Sequence, residues 1–268
     1  MSPYFFGSSE RPLFGLYGPP LAEPAADAGV LLCYPAGQEY MRSHWTFRQL
    51  AQRLQRAGLH TFRFDYTGTG DSAGGMEDAG VDVWCEDIRL AAEEFRDTSG
   101  IRELGVVGLR LGADLALKAS TAGIGASHLV LWDPVVDGNA YLDRLTAMHE
   151  AMLRDRDRFG SASPRSPAGG PYREQLLGFP FPDPVRADIR RIDTAAEDPA
   201  AVPATSLVLG AEHPGADVLE QRLLAAGRLR GRHDLGSRSD WDDLGAINNT
   251  FLAPEAVDAV CRAMGADQ

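Results

Sequence analysis

Residues 104–117 contain the feature that most constrains the fold of this chain. The apolar run Leu104 to Leu109 predicts a short buried strand, and the alanines and leucines that follow predict a helix. Between them lies the turn Gly108-x-Arg110-x-Gly112. A strand, a sharp Gly-x-Xaa-x-Gly turn and a helix form the layout of a nucleophile elbow, which lifts its middle residue above the sheet at a helix N-terminus.

The middle residue of this turn is Arg110, where acyl transfer requires Ser, Cys or Asp. A guanidinium stays protonated and cannot attack a carbonyl carbon. Two interpretations remain open. Arg110 either pairs with Glu39, Asp133 or Glu212 and fills the site, or it binds a substrate carboxylate through two parallel hydrogen bonds where the helix N-terminus already favours negative charge.

The composition indicates one ordinary globular domain with an insertion. The chain has 268 residues, a hydrophobic content of 44%, a net charge of −12 and a pI near 4.9. This acidity argues against nucleic acid and anionic membrane as partners, so the expected partner is a small molecule or a peptide.

The three cysteines show no metal-ligand or disulfide spacing, and no apolar run approaches the ~20 residues of a membrane span. We therefore expect a cytoplasmic protein without a metal or cofactor, whose N-terminus lacks a signal peptide. Oligomeric state is not predicted.

The order of the remaining elements predicts a mostly parallel sheet with helices on both faces. Two short extended stretches near the N-terminus predict a hairpin, and a helix is predicted from about Ser43 to Ala57. Residues 139–193 break the alternation of strand and helix and predict a helical cap, in which Phe179 and Phe181 form a wall or cap core. The expected division is core at 1–138, cap at 139–193 and core again at 194–268.

At this level the chain resembles the α/β-hydrolase superfamily. Three segments carry the resemblance: the turn around Arg110, the loop Phe64-Asp65-Tyr66-Thr67-Gly68-Thr69-Gly70-Asp71-Ser72, and the strand end Leu207-Val208-Leu209-Gly210-Ala211-Glu212. With Gly37-Gln38-Glu39-Tyr40, they are similar to hydrolase-like proteins associated with exosortase clusters. The resemblance implies an α/β-hydrolase fold with a cap, and a triad in the chain order Ser, Asp/Glu, His.

The residues at the implied triad positions depart from the superfamily pattern. The Ser position falls on Arg110 and the acid position on Glu212, while the loop after the last strand, residues 236–253, has no histidine. His233, at the strand end, is the candidate histidine, and His213 is interpreted as a loop residue. Asp65, Asp71 and Ser72 are expected to brace the glycine loop.

The resemblance also implies an oxyanion hole built from backbone N–H groups of Leu111 and of Ala36 or Gly37. Such donors survive the loss of a serine and stabilise any oxyanion, including the enolate formed by removing a proton beside a carbonyl. Glu39, Glu212 and His233 are the candidate catalytic bases, as is a carboxylate of the substrate itself. Asp133 ends a strand at the same edge and is expected to orient Arg110.

These observations favour a non-hydrolytic tailoring enzyme that binds an anionic peptide or natural-product intermediate and performs epimerisation, isomerisation or cyclisation. By its fold and the missing nucleophile, the chain resembles triad-less superfamily members of peptide pathways, such as the bottromycin-type epimerase. One alternative is a non-catalytic protein that binds a small molecule or peptide. Another is a hydrolase or acyltransferase with a rearranged site.

Overall fold

A computed structural model describes residues 1–23, 25–155, 173–211, 213, 215–237 and 239–266. Eight strands form one sheet: β1 (Ser2–Gly7), β2 (Pro12–Gly18), β3 (Ala28–Cys33), β4 (His60–Phe64), β5 (Glu103–Leu109), β6 (His128–Trp132), β9 (Ala204–Leu209) and β10 (Leu229–Asp234). Their order in the sheet is β1-β2-β4-β3-β5-β6-β9-β10, in which β2 is antiparallel to both its neighbours and the other strands are parallel. The N-terminal hairpin and the α/β-hydrolase fold are as predicted.

Helices cover both faces of the sheet because its central strands are apolar on both sides. Helix α1 packs with α7 on one face, and α2 packs with α3 on the other. The helices are α1 (Gly37–Arg56), α2 (Val81–Ser99), α3 (Leu111–Thr121), α4 (Gly138–Arg154), α5 (Asp183–Arg190), α6 (Ala216–Ala225) and α7 (Pro254–Ala263). Within the described ranges, no helix has both the length and the apolar character that crossing a membrane requires.

Helix α1 begins six residues earlier than the sequence pattern predicted. Its first residues are polar and do not follow the apolar stripe, which starts at Phe47, so periodicity could not detect them. The earlier start puts Glu39 in the first turn and moves His44 beyond it. The predicted boundary at Ser43 was therefore wrong, and the correction places a carboxylate at a helix N-terminus, where it is favoured by the helix dipole.

The elbow glycines are required by close approach of backbones. A Cβ on Gly108 would lie 2.4 Å from the carbonyl oxygen of Gly112, and a Cβ on Gly112 would lie 2.2 Å from that of Tyr34. Helix α3 therefore packs against the ends of β3 and β5 more tightly than any side chain would allow. This packing brings the N-termini of α1 and α3 to the same edge of the sheet.

The cap elements follow β6. They are α4, the two-residue strands β7 (Gln175–Leu176) and β8 (Phe179–Pro180), and α5. Asp137 and Asp193 form an antiparallel bridge at the two ends of this insertion. Phe181 is buried, and its ring occupies the space that a Cβ on Gly37 would need, so the cap contacts the start of α1 directly. The division at residues 138 and 193 stays a prediction.

Candidate functional site

The backbone of Arg110 has the strained conformation of an elbow. Its φ of 53° and ψ of −129° place a non-glycine residue in a sparsely populated region, at a cost on the order of 1–3 kcal/mol. The surrounding hydrogen bonds hold it there: its N–H donates to the Trp132 carbonyl at 2.9 Å, and its carbonyl accepts from Ala113 N–H at 2.8 Å. The strain directs the side chain away from β5 and above the carboxyl edge of the sheet.

The guanidinium of Arg110 is buried and paired with Glu39. Its Nε donates to Glu39 Oε1 at 3.1 Å, and its Nη1 donates to the Asp133 carbonyl at 3.3 Å. The Tyr141 hydroxyl donates to Glu39 Oε2 at 3.1 Å. Burial alone would lower the pKa of Arg110, but Glu39, Tyr141 and Asp133 hold it above its usual value. Arg110 therefore stays charged, and both oxygens of Glu39 accept hydrogen bonds.

Two aromatic rings flank the same guanidinium. The Cζ atom of Arg110 lies 5.6 Å from the centre of the Tyr141 ring and 5.5 Å from that of Trp241. Trp241 also contacts Arg42, whose Cζ lies 5.4 Å from the indole centre, so the indole stands between two cations. Arg42 forms an ion pair with Asp240 at 2.7 Å, which anchors the loop that carries Trp241.

Asp133 forms the second buried centre of the site. It has a φ of 44°, and its carboxylate accepts from Gly210 N–H at 2.6 Å and from the Trp241 indole N–H at 3.1 Å. Ser239 Oγ donates to the same carboxylate. Asp133 was expected to orient Arg110, and the contact exists through its backbone carbonyl, because its carboxylate is directed at the loops that follow β9 and β10.

A cavity of about 390 Å³ opens beside these residues. Apolar groups from the base of the cap, such as Val135 and Val136, line one side. The polar groups that line it are Arg110, Asp133, Asp137, Arg144, His213, Ser239 and Asp242. A cavity of this size accommodates a small molecule or a short peptide segment.

His213 is a loop residue, as expected, and it also lines this cavity. Both ring nitrogens are buried. Burial lowers the pKa of His213, and the charge of Arg110 lowers it further. The Asp133 carboxylate and the backbone of Asp133 and Pro134 oppose this shift, so the net effect favours the neutral imidazole. The signal that sequence reasoning missed is position: His213 follows the end of β9, at the same sheet edge as Arg110.

The structure brings most of the predicted site residues together. Arg110, Glu39 and Asp133 are in contact, Leu111 and Gly37 are the first residues of α3 and α1, and Ala36 precedes α1. His233 is elsewhere, in a separate cavity beside Asp234, Glu255 and Arg262. Glu212 lies outside the described residues. Across the described ranges, no cluster of three or more His, Cys, Asp or Glu residues forms a potential metal site.

The protein family of this chain follows from a matching family model. A family model described as serine aminopeptidase, S33, matches residues 39–212, which include the elbow and the described cap elements. The chain belongs to the serine aminopeptidase S33 family. This membership agrees with the α/β-hydrolase fold of the structure. None of the curated proteins matches the sequence.

Solved structures similar to this S33-family chain have the same fold at low sequence identity. An esterase from Pyrococcus furiosus is 14% identical with a TM-score of 0.66, covering 98% of this chain and 89% of its own. DcsB, in complex with its substrate analogue, is 11% identical with a TM-score of 0.67, covering 98% of each chain. The N-formylmaleamic acid deformylase of Pseudomonas putida is 19% identical with a TM-score of 0.58, covering 96% of this chain and 100% of its own. These similarities establish the fold alone.

Proposed function

We propose that this S33-family protein is a non-hydrolytic enzyme that binds an anionic peptide or natural-product intermediate under the cap and moves a proton beside a carbonyl. The observation that carries the proposal is the buried Arg110 at the middle position of the elbow. A protonated guanidinium in this position cannot form an acyl-enzyme. The fold is retained, but the group that hydrolysis by this scaffold uses is replaced.

The neighbours of Arg110 support a site without a catalytic triad. Trp241 occupies the loop after the last strand, where the superfamily histidine is expected, and its indole N–H donates to the Asp133 carboxylate. An indole nitrogen is a donor only and cannot accept a proton from a nucleophile. Arg110, Asp133 and Trp241 are thus in contact with one another but cannot perform the proton transfers of a triad.

The same edge of the sheet offers the groups that enolate chemistry needs. Leu111 and Gly37 start helices whose first N–H groups lack intrahelical partners, which makes them candidate donors to an oxyanion. Of the candidate bases we favour His213, which lines the cavity and whose pKa is lowered by burial, over Glu39, whose oxygens accept from Arg110 and Tyr141. In the proposed step, the α-carbon–hydrogen bond breaks, its electron pair forms the enolate, and the proton passes to the His213 imidazole. Return of the proton to either face gives back the substrate or gives its epimer.

A second arginine gives the cavity a donor for an anionic group of the substrate, beside the carboxylates of Asp133, Asp137 and Asp242. Arg144 lines the cavity, its Nε is buried without a hydrogen-bond partner, and the nearest acidic oxygen, from Asp242, is 3.7 Å away. A substrate carboxylate placed between Arg144 and Arg110 would accept a hydrogen bond from the unsatisfied Nε of Arg144. Asp137 and Asp242 at the cavity wall disfavour a second negative charge on the same molecule.

The proposal is tested by proton exchange in deuterium oxide. Purified protein is incubated with a panel of N-acylated amino-acid thioesters and dipeptides, and deuterium at the α-carbon is measured by mass spectrometry. We expect enzyme-dependent uptake that falls roughly 100-fold or more in His213→Ala, since loss of a general base costs on that order. His44→Ala is the matched control, because it removes an exposed imidazole outside the cavity and should leave exchange unchanged.

Two observations favour alternative functions, and the same protein preparations separate them. The ion pair with Glu39 balances the charge of Arg110, which favours a protein that binds a ligand without exchanging the α-proton of that ligand. The hydrogen bond from Ser239 to Asp133 favours a rearranged hydrolase with Ser239 as nucleophile. Release of p-nitrophenol from short-chain esters, blocked by a serine-directed phosphonate that labels Ser239, would establish the hydrolase and exclude our proposal.

A further inference from the structure

A second cavity, of about 250 Å³, lies between β2, β4, the first turns of α1 and the loop after β4. Its walls are largely aromatic and apolar, and one buried cation faces them. The lining includes Tyr34, Tyr40, His44, Arg63, Asp65 and Asp71. None of these residues lines the cavity beside Arg110.

Arg63 is a buried cation without a carboxylate partner. It is 3% exposed, and among the ion pairs of the described residues none includes it. Its Nη1 donates to the Tyr34 hydroxyl at 3.1 Å, and its Nη2 contacts Met1 Sδ at 3.3 Å. Its Nε is buried and has no partner. A buried charge without a counter-ion is costly, so Arg63 lacks the anionic partner that would normally offset its burial.

We propose that this cavity binds a small aromatic monocarboxylate, whose carboxylate pairs with Arg63 and whose ring packs against Tyr34, Tyr40 and His44. The sulfur of Met1 is a weak acceptor, and its side chain belongs to a residue that is 48% exposed, so a carboxylate oxygen can replace it at Nη2. A guanidinium presents its donors in a plane that matches both carboxylate oxygens.

The rings around Arg63 select a flat apolar body for the ligand. Tyr34 and Tyr40 meet edge to face with centroids 5.1 Å apart, and Tyr34 and His44 are nearly parallel, 9° between planes, with centroids 5.9 Å apart. They form a rigid aromatic corner beside the cation. A benzoate-type ring extends this cluster with the offset and edge contacts that aromatic rings prefer.

Asp65 limits the charge of the ligand. Its carboxylate accepts from the Tyr40 hydroxyl at 2.8 Å and from Asp71 N–H at 3.0 Å, which fixes it at the cavity wall. A second carboxylate on the ligand would face Asp65 or Asp71 without a cation to pair with. The cavity therefore favours a monoanion over a dicarboxylate.

The test is calorimetric titration of the protein with sodium benzoate, benzamide and phthalate. We expect benzoate to bind with a millimolar or lower Kd. Benzamide should bind roughly 10-fold more weakly or worse, because it is neutral and loses the charge-assisted hydrogen bonds to Arg63. Phthalate should also bind roughly 10-fold more weakly or worse, because its second carboxylate is opposed by the charge of Asp65 and Asp71. Arg63→Gln should weaken benzoate binding roughly 10-fold or more, and His44→Ala should weaken it several-fold without threatening the fold, since His44 is exposed. Absence of benzoate binding at about 10 mM, or equal affinity for benzamide, would overturn the proposal.

Arg144→Gln is the matched control for the position of the site, because it removes an arginine from the other cavity. It should leave benzoate affinity within about 2-fold of the parent. Loss of binding in Arg144→Gln with retention in Arg63→Gln would assign benzoate to the other cavity and refute the inference. Should Arg63→Gln fail to fold, benzoate-induced shifts of the His44 ring resonances in the parent protein decide the matter, and shifts confined to His213 count against it.

Discussion

Arg110 and Glu39 form a buried ion pair at the strained turn between β5 and α3. The pair is connected to the cap through the Tyr141 hydroxyl and to β6 through the Asp133 carbonyl. Removal of one partner from a buried pair leaves an uncompensated charge, whereas simultaneous replacement of both by apolar groups is often nearly neutral. The identity of residue 110 is therefore coupled to that of residue 39.

This coupling is measurable in a double-mutant cycle. Glu39→Gln should lower the free energy of unfolding by about 3–5 kcal/mol, because the Arg110 guanidinium is left buried without its carboxylate. The double variant Glu39→Gln with Arg110→Met should lose less than the sum of the single changes, by at least about 1 kcal/mol. Urea denaturation provides the values. Additive losses would mean that the two side chains do not interact energetically.

At the scale of elements, helix α3 connects the elbow to both ends of the cap. Asp114, in the first turn of α3, accepts from the N–H groups of Val135 and Val136 at 2.8 and 3.0 Å, and from the hydroxyl of Thr194. Burial raises the pKa of Asp114 to about 6, although these hydrogen bonds oppose the rise. One carboxylate on the elbow helix thus holds the segments before and after the insertion.

Asp114 gives stability a defined dependence on pH. Its folded pKa of about 6 exceeds the ordinary value of 3.8, so its favourable contribution is complete below pH 3.8 and is lost as the pH rises through 6. Relative to Asp114→Asn, which does not titrate, the parent should lose on the order of 2–3 kcal/mol between pH 4 and pH 7. Paired urea titrations at both pH values measure this. A difference between the two proteins that is constant with pH would contradict the assignment.

The close contact between α3 and β3 makes a second prediction at this scale. Gly112→Ala should destabilise the protein by about 2 kcal/mol or more, because the new methyl would meet the Tyr34 carbonyl, which is backbone and cannot move aside cheaply. Gly236→Ala is the control: a Cβ there has nothing within 4 Å, so its effect should stay within about 0.5 kcal/mol. Thermal unfolding of the two variants compares them, and equal melting temperatures would refute the packing argument.

At the scale of the whole molecule, local patterns predicted the sheet and the elbow but not the contacts between distant segments. The strand that ends at Leu109 and the turn around Arg110 could be predicted because neighbouring residues alone define both patterns. The hydrogen bond between Trp241 and Asp133 joins residues 108 positions apart, and no spacing in the sequence announces it. The sequence pattern also did not show that His213 lines the Arg110 cavity while His233 lines another, because only the tertiary arrangement decides which histidine faces a given cavity.

The Arg63 cavity illustrates the same limit. Arg63 lies within an alternating strand, where a polar side chain is expected at an exposed position. In the structure it is covered by α1 and by the aromatic residues near its start, because β4 lies inside the sheet between β2 and β3. Its burial follows from strand order, which the sequence pattern did not define.

The position of Trp241 between two guanidinium groups has an optical consequence. Indole emission responds to nearby charge and to the hydrogen bond on its nitrogen, and Trp241 has both on the wall of the Arg110 cavity. Any ligand that displaces Arg110 or shields its charge should therefore change the intrinsic fluorescence of the protein. We expect this change to disappear in Trp241→Phe and to persist in Trp45→Phe, which removes a half-exposed indole from the outside of α1. A fluorescence change that survives in Trp241→Phe would come from another tryptophan and contradict this expectation. If the change depends on Trp241, the intrinsic fluorescence of the protein can be used to screen for ligands of the Arg110 cavity.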